Sequence, residues 1–333
     1  MAFLLQQLFK YLIPLMIVAL AGVFAERSGI INIALDGMMI VGSFFGALFV
    51  YILQAPQFGI TLDIAKGQGQ FIYIAAMLVA ALAGAAFSLL LGFSAINLKA
   101  DQTIGGTALN MLAPAISLFF INLLCQQQYM SMPKGTVNWF MIQNESIRGT
   151  VLEGFFDKAY ISTYLCIALF IILSIILYKT KFGLRLRSCG EHPQAADSVG
   201  INVVKMRYAG TVISGALAGL GGYVYIVCSA NGAAQGDVQG AGFIALAIMI
   251  FGNWKPTGIA LGAILFGLLT CIAPTYASLD INGDGVYLLR ELGLPNYFYN
   301  LLPYVTVLIV LAFTSKKSRA PKAEGIPYDK GAR

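Results

Sequence analysis

Apolar residues in this chain come in runs of 17 to 24, separated by shorter polar stretches. An amphipathic surface helix would break such a run with polar residues at every turn. Wound as a helix, each of these runs instead crosses about 30 Å of hydrocarbon. The pattern predicts an all-α, polytopic membrane protein with spans near Leu8–Phe24, Ile30–Leu53, Phe71–Phe93, Ile104–Cys125, Tyr160–Tyr178, Tyr208–Ser229, Gly242–Asn253, Gly258–Ser278 and Phe298–Thr314. Eight are full length and one is short, giving nine crossings. In "GAGFIALAIMIFGNWKP", Gly240–Pro256, about twelve apolar residues make roughly 18 Å of helix, too little to cross a bilayer. The second span is interrupted: Asn32, Asp36 and Gly37 lie inside "ERSGIINIALDGMMIVGSFFG", Glu26–Gly46. One such segment in each half is the pattern of broken helices around a path at the membrane midplane. Two ordinary helices with packing glycines would give the same pattern.

Composition supports the membrane reading, with 58% hydrophobic and 11% charged residues, too few charges to clothe a soluble domain of this size. The 36 glycines fall mostly inside apolar runs, which predicts close helix–helix approach. The net charge of +6 is concentrated in two blocks, six basic residues in Lys179–Arg207 and six from Ser315 onward. The Gln126–Ala159 loop holds three, offset by Glu145, Glu153 and Asp157. This distribution favours membrane orientation over a nucleic-acid partner, and it puts both blocks and the C-terminus in the cytoplasm and the N-terminus outside. Residues 1–314 then form the transmembrane domain, with a cytoplasmic loop at 179–207. Residues 315–333 form a basic cytoplasmic tail expected to be disordered. The first run has no basic leader or cleavage site and reads as a retained span. The five cysteines show no pairing or metal spacing and read as small buried residues.

A carboxylate at membrane depth costs about 3 kcal/mol and normally faces a bundle interior or a wet cavity. Asp36 is therefore a candidate for the substrate path, or an acceptor for backbone N–H groups where the helix breaks. Asn32, Asn110 and Asn231 could bind a ribose or a base edge, or serve as contacts between helices. Phosphate-loop and zinc-protease motifs are absent and His192 is the sole histidine, so neither bond chemistry nor a bound cofactor is expected. "DINGDGVYLLRE" fits a calcium-loop template with Asp280, Asn282, Asp284, Gly285 and Glu291 in place. Leu288, however, occupies the ninth position, where an oxygen or water usually ligates. An acidic, glycine-rich external turn is the preferred reading and a calcium site the alternative.

The stretch "GEHPQAADSVGI" between two spans offers a helix start with Pro193 in the first turn, a small Ala195–Ala196 face, Asp197 and a stop at Gly200. With "ERSGIINIALDGMM" and "GFIALAIMIFGNWKPTGIALGAILFG", this stretch resembles the permease subunits of bacterial ABC importers for ribose, branched-chain amino acids and nucleosides. The first and third motifs look most like the nucleoside branch. The resemblance implies a non-enzymatic subunit of the bacterial cytoplasmic (inner) membrane that forms half of a nucleoside path. It also implies a second permease, a substrate-binding lipoprotein and a separate ATPase that holds ATP and Mg. Glu191, Pro193, Ala195, Ala196, Asp197 and Gly200 would form the coupling helix that sits in a groove of that ATPase. The family commonly has Asn, a better N-cap, where this chain has His192. Alternatives are an ABC permease for ribose or another small sugar, an ion-coupled secondary transporter using Asp36, or a scaffold without a path.

Overall fold

The computed structural model describes residues 2–54, 69–132, 140–142, 159–230, 232–276, 288–291, 293–314 and 320–329. Among these residues seven helices are long and apolar enough to cross a membrane: α1 (Ala2–Glu26), α2 (Leu35–Gln54), α3 (Gly69–Gly92, continued by a π turn at Phe93–Asn97), α4 (Gln102–Cys125), α5 (Ile161–Lys179), α8 (Val203–Ser229) and α10 (Pro256–Thr275). Shorter helices are α6 (Lys181–Glu191), α7 (Pro193–Ser198), α9 (Ala241–Phe251), α11 (Leu288–Glu291) and α12 (Asn296–Thr314). The spans predicted at Gly242–Asn253 and Phe298–Thr314 are α9 and α12. Among the described residues α9 and the apolar part of α12, Asn296–Val310, are shorter than the seven, and the expected nine crossings are not confirmed. The second span starts later than predicted: residues 27–34, Asn32 among them, are non-helical and join α1 to α2, whereas Asp36 and Gly37 lie inside the first turn of α2.

Helices α1 and α8 are mostly buried and form the centre of the bundle, while α4 and α5 are mostly exposed at its edge. Without a hydrophobic force between helices in lipid, close backbone packing must hold them together. A row of glycines on α8 provides it. Gly215 and Gly219 lie against Gly84 of α3, Gly219 also touches Gly42 of α2, and Gly222 meets the backbone of Met39. A methyl group at any of these α8 positions would overlap a neighbouring helix. Two small antiparallel ladders stand at one end of the bundle, β1 (Met130–Ser131) with β4 (Ala233–Ala234) and β2 (Met141–Ile142) with β3 (Ala159–Tyr160).

The opposite end carries α6, α7, the end of α1 and the start of α8, and is called the basic end here. Residues 320–329 are ordered against it, in contrast to the disorder expected of the tail. The Ala323 N–H donates to Gly190 O at 2.8 Å, and the Gly325 N–H donates to Gly29 O at 3.2 Å. Arg207 Nη1 donates to Ile326 O at 3.0 Å, and Lys99 pairs with Asp329 at 3.0 Å. Tyr328 packs beside Cys189, Ala196 and Val203. The tail is polar in composition, but its backbone finds partners on glycines whose N–H and C=O groups no side chain shields.

Candidate substrate path and docking face

The break before α2 leaves the first N–H groups of that helix without intrahelical partners. Side chains distant in sequence supply them. Asn110 of α4 accepts from the Gly37 N–H at 2.8 Å and donates to Ile33 O at 2.9 Å. Gln102 accepts from the Ile31 N–H at 2.7 Å. Asn32, fully buried, donates to Ser214 of α8 at 2.8 Å. Asp36 reaches across to α9 and accepts from the Gly242 N–H at 2.8 Å. It thereby caps a helix whose own N-cap, Gly240, has no side chain to do so, and it places negative charge at the positive end of that helix. Asn32, Asp36 and Asn110 gather where the segment after α1 leads into α2, each with a hydrogen-bond partner inside the chain, and none of them lines the recess described below. Asn231 lies outside the described residues, as do Asp280, Asn282, Asp284 and Gly285; Glu291 ends α11. Among the described residues no cluster of metal-ligating side chains is present.

The other end of α9 is also held by a carboxylate. Asn253 and Trp254 both adopt left-handed backbone conformations, φ +53° and +55°, unusual for a residue as bulky as Trp. Trp254 is fixed there because its indole N–H donates to the Glu26 carboxylate and its carbonyl accepts from the Tyr178 hydroxyl. The short helix is thus pinned at its N-terminus by Asp36 and just beyond its C-terminus, at the basic end, by Glu26.

Above the N-terminus of α9, towards the end away from α6 and α7, a recess of about 590 Å³ opens between α1, α8, α10 and α12. Tyr11 and Tyr225 line it as an edge-to-face pair 6.4 Å apart. Gln239 links two walls, accepting from Tyr225 at 3.2 Å through its side chain and from Tyr304 at 2.8 Å through its carbonyl. Asp237, Asn296 and Asn300 line it too, with the Ser229 and Thr270 hydroxyls. Of the recess residues, Asp237 carries a mark in the sequence, as an acid beside an apolar run, although it is not among the path candidates read there. The signal for the others was present: Asn296, Asn300 and Tyr304 recur every four residues and so share one face of α12.

At the basic end the predicted helix is α7, and a second helix not read from the sequence stands before it. Helix α6 precedes α7, and its Thr180 N-cap accepts from the Gly183 N–H at 3.3 Å. Pro193 opens α7 as expected, the His192 N-cap makes no side-chain capping bond, and Gly200 at φ +83° follows the end of the helix. Ala195 and Ala196 do not share a face. Ala196 is buried against Cys189 and Val203, whereas Ala195, Gln194 and Ser198 are exposed and Asp197 half-exposed. Glu191 pairs with Arg27 at 3.4 Å, tying α6 to the start of the broken segment.

Residues 4–311 match the family described as "Branched-chain amino acid transport system / permease component". The guanosine ABC transporter permease protein NupQ of Bacillus subtilis (strain 168) is 40% identical over 326 residues, 97% of this chain and 95% of that protein. The nucleoside ABC transporter permease protein NupC of Lactococcus lactis subsp. cremoris (strain MG1363) is 38% identical over 322 residues, 96% and 94% of the two chains. The nucleoside ABC transporter permease protein NupB of the same strain is 25% identical over 318 residues, 94% and 83% of the two chains. No solved structure matches the chain significantly.

Proposed function

Because this chain belongs to the family of branched-chain amino acid transport system permease components, we propose that it is the membrane permease of an ATP-driven nucleoside importer. The observation that carries the reading is the likeness to NupQ and NupC over nearly the whole length of all three chains. The protein is a multi-pass membrane protein and a transport component, not an enzyme. Its family implies work with an ATPase and a substrate-binding protein. In this reading the basic end faces the cytoplasm, where α6 and the exposed face of α7 meet the ATPase, and the recess opens to the outside, where a binding lipoprotein delivers cargo. Lactococcus lactis holds both NupC and the more distant NupB, which supports a pore built from this chain and a second, unlike permease.

The mechanism centres on α9. Its floor position under the recess and its clamp at Glu26 make it the barrier between the two ends. Because α6 is tied through Glu191 and Arg27 to the segment that leads to Asp36, movement of the docking face is transmitted to the N-terminus of α9. Uptake of labelled guanosine into proteoliposomes holding the complete transporter is expected to require internal ATP and to persist when Na⁺ and proton gradients are collapsed. Uptake that stops on collapse while ATP remains would overturn the proposal in favour of an ion-coupled carrier.

A further inference from the structure

The recess above α9 has the chemistry of a neutral, flat ligand that bears hydroxyl groups. Its volume of about 590 Å³ lies within the range of about 300–1,000 Å³ usual for pockets that enclose small organic molecules. Its aromatic walls are already fixed, because the Tyr225 and Tyr304 hydroxyls both bond to Gln239. The Ser229 and Thr270 hydroxyls are spent on backbone carbonyls of their own helices, which leaves Asn296, Asn300 and Asp237. Among the described residues neither the Asn296 nor the Asn300 amide makes a hydrogen bond, and Asp237 spends only Oδ1, on the Gln239 N–H at 2.8 Å.

Charge selects among ligand classes. Among the described residues no lysine or arginine lines the recess, so there the carboxylate of an amino acid or the phosphate of a nucleotide would meet Asp237 with no cation beside it. A nucleoside presents what the free groups can use. A side-chain amide can pair in bidentate fashion with the donor–acceptor edge of a base, and a carboxylate accepts from ribose hydroxyls. The tyrosine rings supply apolar faces for the base and sugar.

We propose that this open recess, lined by a single permease chain, is a nucleoside-holding site in which Asn296 and Asn300 read the base edge and Asp237 takes the ribose hydroxyls. The proposal rests on the nucleoside-importer reading. It adds that cargo pauses inside this subunit, on the floor made by α9, before α9 yields.

The test uses the complete transporter in proteoliposomes with its binding protein at saturation, comparing uptake of labelled guanosine and 2′,3′-dideoxyguanosine. Asn300→Leu is expected to raise the KM for guanosine roughly tenfold, the cost of one unmade hydrogen bond in a partly closed site. Asp237→Asn should shrink the preference for guanosine over its dideoxy analogue several-fold. That preference is a ratio within one preparation, so lowered expression does not affect it, and copurification with the ATPase reports assembly. If assembled Asn300→Leu and Asp237→Asn transporters keep the wild-type KM and the wild-type preference, the recess is not the holding site. Failure of the wild type to take up any nucleoside under ATP would instead sink the importer reading itself.

Discussion

Asp36 shows how one side chain can serve structure where a coupling role is also conceivable. Its carboxylate accepts from the Gly242 N–H, and that N–H belongs to a helix start buried among α1, α2 and α10. Asp36→Ala leaves the donor without a partner and is expected to lower stability by about 1–3 kcal/mol, with uptake falling in parallel. Asp36→Asn keeps an acceptor at the same place, so melting temperature in detergent should return close to wild type and uptake should survive. Asn and Ala variants that are equally damaged would mean that the charge matters, not the hydrogen bond. The sequence marked Asn32, Asp36 and Asn110 because polar groups inside apolar runs are costly. It did not show their partners, which lie 182, 206 and 73 positions away. The cavity was missed for a related reason: its polar residues sit near helix ends, where asparagine is unremarkable, and only packing brings five helices around them.

At the scale of elements, α7 divides into two faces. The exposed face, Gln194, Ala195 and Ser198, is free for a partner, while Pro193 and Ala196 close the corner against α6 and α8. Ala195→Trp is therefore expected to leave a folded permease that no longer copurifies with its ATPase. Ala196→Trp should instead overpack the corner and cost about 1–3 kcal/mol of stability before docking is reached. Normal assembly of the Ala195→Trp chain with the ATPase would remove α7 from the interface. Most elements were legible. The long helices follow from apolar runs, the start of α7 from Pro193 and its end from Gly200. The split of the docking segment into α6 and α7 was not, because a six-residue helix carries too little periodicity to reveal which alanine faces inward.

Across the whole molecule, the tail joins parts that are far apart in sequence. Burial pushes the Glu324 carboxyl up to about 7, although its hydrogen bond with Glu26 and the nearby Arg27 guanidinium both pull it down. The undocked tail would titrate near the ordinary value of 4.5. The docked form therefore holds the proton more tightly. Its stabilisation is full below about 4.5, declines as pH rises, and is lost once pH passes about 7. Amide exchange at Ala323 and Gly325, corrected for intrinsic rates, should show weaker protection at pH 8 than at pH 5.5, and Glu324→Gln should flatten the difference. Protection that grows with pH would show that Glu324 is docked as the carboxylate. Residues 320–329 also leave the ribosome after every described membrane helix, and they complete the surface beside α7. The docking face is thus finished only after the pore helices have been made, and a chain truncated between residues 314 and 320 would reach the membrane with its pore helices in place but its docking face incomplete.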